Sequence, residues 1–369
     1  MTSKLKLLSA SSGFGLMLAF ASPAYAQNTD ANTLIQNTVN VNYQVGGVAQ
    51  TPISALNEFR VDRRILFSVA EKTVVGTTAV TSGQTNQDVA FTIVNSSNDT
   101  LDFALAATNT TGSSIGGGRG TDSIDVSNFR YAIDTNGNGV LDGAETFVAS
   151  LTLDNVAKGA TVHVLVRSDI PIATNGAVAV VQLAATALNS AGTAITAVTD
   201  ANANTADVTS GTFQTIFAED LTPTQGNTSR NGVSWAWDDY TVSAPVLSVA
   251  KTSVIISDGV SGTNPKAIPG AVVEYCISVA NAAGGATATS VSLSDLVPAN
   301  TTYVAGSIFV DATVTTPGAS QTCSGGTSVS DAVNADAGEF GTPANTVVGR
   351  LSSIAASTAR ALIFRVTLN

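Results

Sequence analysis

Val61-Asp62-Arg63-Arg64-Ile65-Leu66-Phe67-Ser68-Val69 is the stretch that decides the fold. Val61, Arg63, Ile65, Phe67 and Val69 alternate with Asp62, Arg64, Leu66 and Ser68. A period of two sends successive side chains to opposite faces of an extended strand. The pattern returns at Val89, Phe91 and Ile93, and at Leu101, Phe103 and Leu105 beyond the turn Asn95-Ser96-Ser97-Asn98-Asp99. It returns again at Val273, Tyr275, Ile277 and Val279 and at Leu362, Phe364, Val366 and Leu368. The segment 200–208, rich in Ala and Asn, reads as a loop, and no amphipathic helix of more than two turns follows the N-terminal segment. An all-β chain of short strands and turns is expected, since β-branched residues suit a pleated half-buried surface and Gly and Asn suit turns.

The chain also repeats itself. Ser68-Val69-Ala70-Glu71-Lys72-Thr73 returns as Ser248-Val249-Ala250-Lys251-Thr252, and in each copy a later alternating strand ends in Asn, at Asn95 and Asn281. The offsets between equivalent points indicate two homologous units rather than a short-period solenoid. With 369 residues, the expected division is a first β-sandwich over 59–244 and a second over 245–369, with the boundary at Ser243-Ala244-Pro245. Residues 27–58, including the hairpin-like Asn40 to Val48, are expected to form a strand pair that docks on the first sandwich.

Lys4 and Lys6, the apolar stretch Phe14 to Phe20 and then Ala24-Tyr25-Ala26 follow the order of a secretory signal peptide cleaved after Ala26. The apolar core is shorter than the roughly 20 residues a membrane anchor needs, and Thr, Ser, Asn or Gly interrupts every later apolar run. The expectation is an exported chain, periplasmic, surface-bound or extracellular, with no transmembrane segment once mature. Losing residues 1–26 removes two of the 16 basic residues and leaves 14 against 27 acidic ones, a net charge of −13. That charge excludes nucleic acid as a partner.

The run Pro245-Val246-Leu247-Ser248-Val249-Ala250-Lys251 is followed by Ile268-Pro269-Gly270-Ala271-Val272-Val273-Glu274-Tyr275 and Val279-Ala280-Asn281. Val291-Ser292-Leu293-Ser294-Asp295 and Val297-Pro298-Ala299-Asn300-Thr301-Thr302-Tyr303-Val304-Ala305-Gly306-Ser307 come next. In this order the segments resemble the conserved-repeat domain of bacterial surface proteins known as domain of unknown function 11. The resemblance covers about 245–369, and the first unit is similar to a more divergent relative. It implies two immunoglobulin-like β-sandwich domains in tandem after a cleaved signal peptide, in an extracellular structural or adhesive role. Its implied partners are other envelope proteins, the protein itself or surface glycans. It implies no biochemical activity.

The sharpest chemical motif is Asp134-Thr135-Asn136-Gly137-Asn138-Gly139-Val140-Leu141-Asp142-Gly143-Ala144-Glu145. It matches a twelve-residue calcium loop, with side-chain oxygens from Asp134, Asn136, Asn138, Asp142 and Glu145, the Val140 carbonyl at position 7 and Gly139 at position 6. The flanks 129–133 and 146–151 read as strands, so the expected object is a metal-clamped β-hairpin tip. A long Asn-Gly and Asp-Gly turn without metal is the alternative. Two of the ligands are Asn, so modest affinity suited to extracellular calcium is expected.

Cys276 and Cys323 are the only cysteines, and in an exported chain a disulfide between them is expected, with free thiols or an intermolecular link as the alternatives. Cys276 falls on the strand face opposite Val273, Tyr275, Ile277 and Val279, so the bridge would tie a loop to the outside of a sheet. No catalytic constellation is evident. His163 is the only histidine and sits in an alternating strand, and Gly116-Gly117-Gly118-Arg119-Gly120 lacks the ending of a phosphate loop. Asp331, Asp336 and Glu339 read as a solvated turn or a weak cation site. Trp235 and Trp237 share one strand face, which makes them either packing at the domain junction or a stacking platform for a sugar.

Overall fold

The computed structural model describes residues 29–72, 77–110, 112, 120–143, 145–195, 214–219, 229–334 and 336–369. The signal-peptide motif, the segment 200–208 and residues 116–119 lie outside them. Every regular element among the described residues is a β-strand, and no helix there is long and apolar enough to cross a membrane. The chain divides into two compact units, one holding residues up to Ile65 with Ser97–Asp99 and 214–216, the other holding both sandwiches.

In the smaller unit, β1 (Leu34–Val41) pairs antiparallel with β4 (Ile53–Arg60), and β2 (Gln44–Val45) with β3 (Val48–Ala49) at the tip. Gly46 and Gly47 take φ of 60° and 84°, the left-handed pair that a two-residue hairpin turn requires. The pairs Ile35 with Phe59, Val39 with Ala55 and Val41 with Ile53 lie on one face of the ribbon. Gln36 with Glu58 and Asn40 with Ser54 lie on the other, where the Gln36 amide donates to Glu58 at 2.8 Å.

The alternating stretch that opened the sequence reading is two strands rather than one. β5 (Arg63–Ile65) pairs with β14 (Thr215–Phe217), whereas β6 (Phe67–Glu71) pairs with β8 (Gln87–Asn95), so the chain changes partner at Leu66. The alternation survives the break, with Ile65, Phe67 and Val69 all buried. The first sandwich has a four-stranded sheet ordered β10 (Ser127–Asp134), β12 (Thr161–Asp169), β8, β6. Against it lies a five-stranded sheet ordered β11 (Thr152–Val156), β9 (Leu101–Asn109), β13 (Val178–Leu188), β15 (Val233–Ser243), β7 (Thr78–Thr81). The orders A-B-E-D and C-F-G of an immunoglobulin-like sandwich are present, and β7 runs parallel to the last strand. Phe67 meets Phe103 across the core with ring centroids 4.8 Å apart. Tyr240, fully buried, donates its hydroxyl to the Gln87 carbonyl at 2.9 Å.

The second sandwich follows after the short link 244–246. Its larger sheet is ordered β16 (Leu247–Ser257), β17 (Val272–Asn281), β25 (Thr358–Leu368), β20 (Phe309–Thr315), β21 (Thr322–Ser324), with β19 (Thr301–Tyr303) on β25 and β22 (Thr327–Ser328) on β20. Its smaller sheet is ordered β18 (Val291–Leu296), β24 (Thr346–Leu351), β23 (Gly338–Phe340). Ile277, Val279, Ile308, Val347, Leu362 and Phe364 fill the space between.

The sequence echo extends to backbone pairing. Phe67 lies opposite Asn95 and Val69 opposite Ile93, while Leu247 lies opposite Asn281 and Val249 opposite Val279. Both asparagines are buried and use their amides as staples, Asn95 to the Val156 carbonyl and Asn281 to the carbonyls of Ala286 and Ile354. The neighbours of β6, β8, β9, β10, β11 and β12 are reproduced by β16, β17, β18, β20, β24 and β25 in turn.

Candidate functional site

The loop 134–145 leaves β10 at Asp134, whose register partner is His163 on β12. Its return limb is not a strand, so the expected hairpin tip is corrected. Val148 makes only an isolated bridge to Tyr131, and the next strand, β11, joins the opposite sheet beside β9. Packing explains the departure. Phe147 is drawn onto the outer face of the four-stranded sheet against Ala90, Ala132 and Leu165, and the Arg167 guanidinium covers its ring at 3.9 Å. Arg167 is in turn held by both oxygens of Asp88, at 2.8 Å each, and this pairing raises its pKa further. The loop therefore connects two sheets and is pinned at both ends.

Within it the polar side chains bond to one another and to the turn's own amides, the oxygens of Asn136 and Asn138 accepting from the amides of Asn138 and Val140. Asp134 is buried and accepts from the amides of Asn138 at 3.2 Å and Gly139 at 2.7 Å. The Asp142 carboxylate accepts from the side-chain amides of Asn136 at 2.6 Å and Asn138 at 3.0 Å. Glu145 spans the ring, taking the Thr135 amide on one oxygen and the Asp142 amide on the other, each at 3.0 Å. These bonds bring all five predicted side chains around one turn. The donor set is all oxygen, three carboxylates and two amide oxygens with the Val140 carbonyl, which is the chemistry a hard cation of calcium's size selects. Among the described residues no three Asp, Glu, His or Cys side chains come together as a group that could hold a metal ion.

His163 packs beneath this loop. A Cβ on Gly137 would fall 2.7 Å from its ring, and Lys72 presses on Gly139 in the same way. The ring accepts at Nδ1 from the Lys72 ammonium at 3.3 Å, with Thr92 Oγ1 3.2 Å away on the same nitrogen. A lysine can only donate, so the Nδ1 lone pair is engaged and the ring serves to support the loop.

Asp331, Asp336 and Glu339 do not converge. Asp331 binds the Tyr303 hydroxyl at 2.6 Å, and Glu339 pairs with Arg350 at 2.8 Å. Asp336 caps the amides of Ser330 and Gly338, which lowers its pKa to about 2.

Cys276 and Cys323 are bonded, with Cα atoms 5.6 Å apart. The bridge does reach the outer face of the larger sheet, but what it ties there is a short strand rather than a loop. Cys323 lies on β21, and both side chains adjoin a second small core of Ala312, Ala361 and Ile363. Sequence reasoning missed the polar staple beside it. Gln321, buried, donates to the carbonyls of Ala250 at 3.0 Å and Cys276 at 3.1 Å and accepts from Ser278.

Trp235 and Trp237 lie on the outer face of the five-stranded sheet, opposite the inward-facing Ala236 and Tyr240. Their ring centroids are 5.1 Å apart at 32°, and both are half-buried. They register with Ala184 and Gln182 of β13. The Trp237 indole nitrogen is buried with no hydrogen-bond partner.

No family model matches the chain, and no curated protein does. Among solved structures it is similar to the C-terminal domain of the Streptococcus agalactiae AgI/II polypeptide BspA, at 11% identity and a TM-score of 0.30, over 82% of this chain and 90% of that one. It is also similar to the collagen binding domain of Erysipelothrix rhusiopathiae surface protein RspB, at 11% identity and a TM-score of 0.18, over 82% and 81%. A third similarity is to a putative membrane anchored protein from Corynebacterium diphtheriae, at 10% identity and a TM-score of 0.18, over 91% and 89%. Likeness this distant assigns no function.

Proposed function

We propose that this chain is an exported, non-catalytic structural or adhesive protein of a bacterial surface, with its first sandwich stiffened by calcium at Asp134, Asn136, Asn138, Asp142, Glu145 and the Val140 carbonyl. The observation that supports the calcium reading is that the five side chains hydrogen-bond around one turn of a loop pinned at β10 and at Phe147. A connection held at both ends loses little conformational entropy when an ion orders it, so binding there adds stiffness at modest affinity. The non-catalytic reading is supported by the chain's one histidine being spent under that loop. In the bacterium that makes it, the protein is expected to begin at Gln27 and to be cut by protease added to intact cells. A chain that still begins at Met1 and stays in the cytoplasm would remove the surface role.

A second reading has its own observation. Two half-buried indoles, tilted 32° to one another on a sheet face turned away from the core, offer a surface of the kind a sugar ring stacks on. The glycan-binding alternative predicts binding on a glycan array that falls about tenfold, or about 1.4 kcal/mol, in Trp235→Ala with the melting temperature unchanged. An array without binding by the unaltered protein dismisses it.

A further inference from the structure

β1 presents a strand edge that lacks the usual protection. The stem of its ribbon is fixed, since Arg60 Nη1 donates to the Asn32 carbonyl at 2.9 Å and to the Asn32 side chain at 3.0 Å, and the Asn32 amide donates to Val61 at 2.8 Å. Beyond that stem both strands are exposed along most of their length, and among the described residues β1 pairs with β4 and with no other strand. Sheet proteins guard such an edge with charge, proline or a bulge. Leu34–Val41 contains no charged residue and no proline, and its register runs unbroken from Leu34 opposite Arg60 to Val41 opposite Ile53. β4 differs, because it carries Glu58 and Arg60. A two-stranded ribbon is at best marginal in water, and an open edge is a template for a further strand.

We infer that β1 pairs antiparallel with β1 of a second copy of this chain, about a two-fold axis at Asn37, so that two ribbons make one four-stranded sheet. The chain carries a net charge of −11, and copies of an acidic chain repel one another. Residues 31–57 contain no charged side chain, so this seam brings no like charges together. The side chains also match. Within one ribbon Asn37 lies opposite Asn57, Ile35 opposite Phe59 and Val39 opposite Ala55. With Asn37 facing its own copy, Ile35 faces the partner's Val39, and Gln36 faces the partner's Thr38. Asn57 and Asn37 of the two copies then form one amide row, flanked on each side by an apolar row of Phe59, Ile35, the partner's Val39 and the partner's Ala55. A slip of two residues, the smallest that keeps each face, would set Asn37 against Ile35 or Val39. Asparagines at the centre of an otherwise apolar face therefore select the register. From Leu34 to Asn40 the seam is about 24 Å long and supplies about six to eight main-chain hydrogen bonds. The two-fold axis uses up both β1 edges and leaves outermost the β4 edges, which carry Glu58 and Arg60, so assembly stops at a dimer. The inference is independent of the calcium loop and of the tryptophan pair.

Sedimentation velocity of the chain from Gln27 onward tests it. The seam is small, so the unaltered protein is expected to pass from monomer to dimer between roughly 10 µM and 1 mM. Asn37→Asp and Asn37→Lys each set like charges directly opposite one another across the axis, and each alone should weaken the dimer about fivefold or more. Asn37 is exposed, so neither change disturbs a core. An equal mixture of the two variants should recover a one-to-one dimer at least as strong as the parent's, which also shows that both ribbons are folded. Asn57→Asp keeps its two charges about 14 Å apart, beyond the screening length of about 8 Å at physiological salt, and should leave the dimer within about twofold of the parent. A parent that stays monomeric, an open series of oligomers, an Asn37 variant that dimerises as the parent does, an Asn57→Asp chain weakened as much as Asn37→Asp, or a mixture without recovery would each overturn the inference.

Discussion

Calcium raised to about a hundredfold above its dissociation constant is expected to raise the melting temperature of the first sandwich by about 5–10 °C over its value in chelator, with Glu145→Gln abolishing the rise. An ion that binds only the folded chain stabilises it by about 2.7 kcal/mol when free calcium is a hundredfold above the dissociation constant. For a domain of this size each kcal/mol moves the midpoint by about 2–4 °C. Both tryptophans lie in β15, so indole fluorescence follows the first sandwich and no other part of the chain. The substitution is chosen for what it leaves in place. Glu145 accepts the Thr135 and Asp142 amides, and glutamine keeps one of those acceptors while removing the charge and the two-oxygen grip. In chelator the variant should therefore melt within about 1 kcal/mol of the parent, since a lost amide contact is partly offset by one fewer carboxylate near Asp134 and Asp142. Magnesium should substitute poorly, because it demands shorter, octahedral coordination and gives up its water reluctantly. Identical melting curves in calcium and chelator would reduce the loop to a turn.

The strands were legible wherever one face is buried and the other is not, as at Phe67 and Val69 or Leu101, Phe103 and Leu105, because alternation records that asymmetry. Val178–Leu188 has little alternation to read, being buried on both faces along most of its length. The repeat was legible down to the partner of Asn95 and Asn281, since a buried asparagine must satisfy its amide at one fixed place in the ladder. The calcium-like spacing was also plain. Its setting was not, because Phe147 fits a strand pattern and only its contact with Ala90, Ala132 and Leu165 shows that the limb folds outward. The break at Leu66 was invisible for a similar reason. Period two says which face a residue takes and nothing about which strand lies beside it, and Ile65 and Phe67 keep their face while the partner changes from β14 to β8. Likewise nothing in Ser68-Val69-Ala70 tells of β15, a strand remote in the chain whose Ser234 hydroxyl accepts from the buried Val69's amide.

Reducing the Cys276–Cys323 bond should lower the stability of the second sandwich by about 4 kcal/mol and leave the first unchanged. The link closes a separation of 47 residues, and in the chain-entropy account a loop of that length loses about 4 kcal/mol of unfolded-state freedom. The folded state has its own means of keeping the segment in place. Gln321 holds it to Ala250 and Cys276, and β21 stays paired with β20 through Val314 opposite Cys323. Native geometry should therefore persist after reduction, and the loss should appear through the unfolded chain. Reduction is a cleaner test than Cys276→Ser, which would also place a hydroxyl beside Ala361 and Ile363 and add a desolvation cost of its own. The two sandwiches can be followed in one denaturant titration, indole fluorescence reporting the first alone and far-ultraviolet circular dichroism reporting both, so that the transition without an indole counterpart belongs to the second. The expected result is that this second transition moves to lower denaturant on reduction with an unchanged indole transition. If it shifts by less than about 1 kcal/mol, the small core and Gln321 alone hold this face, and the bond contributes little to the stability of the sandwich.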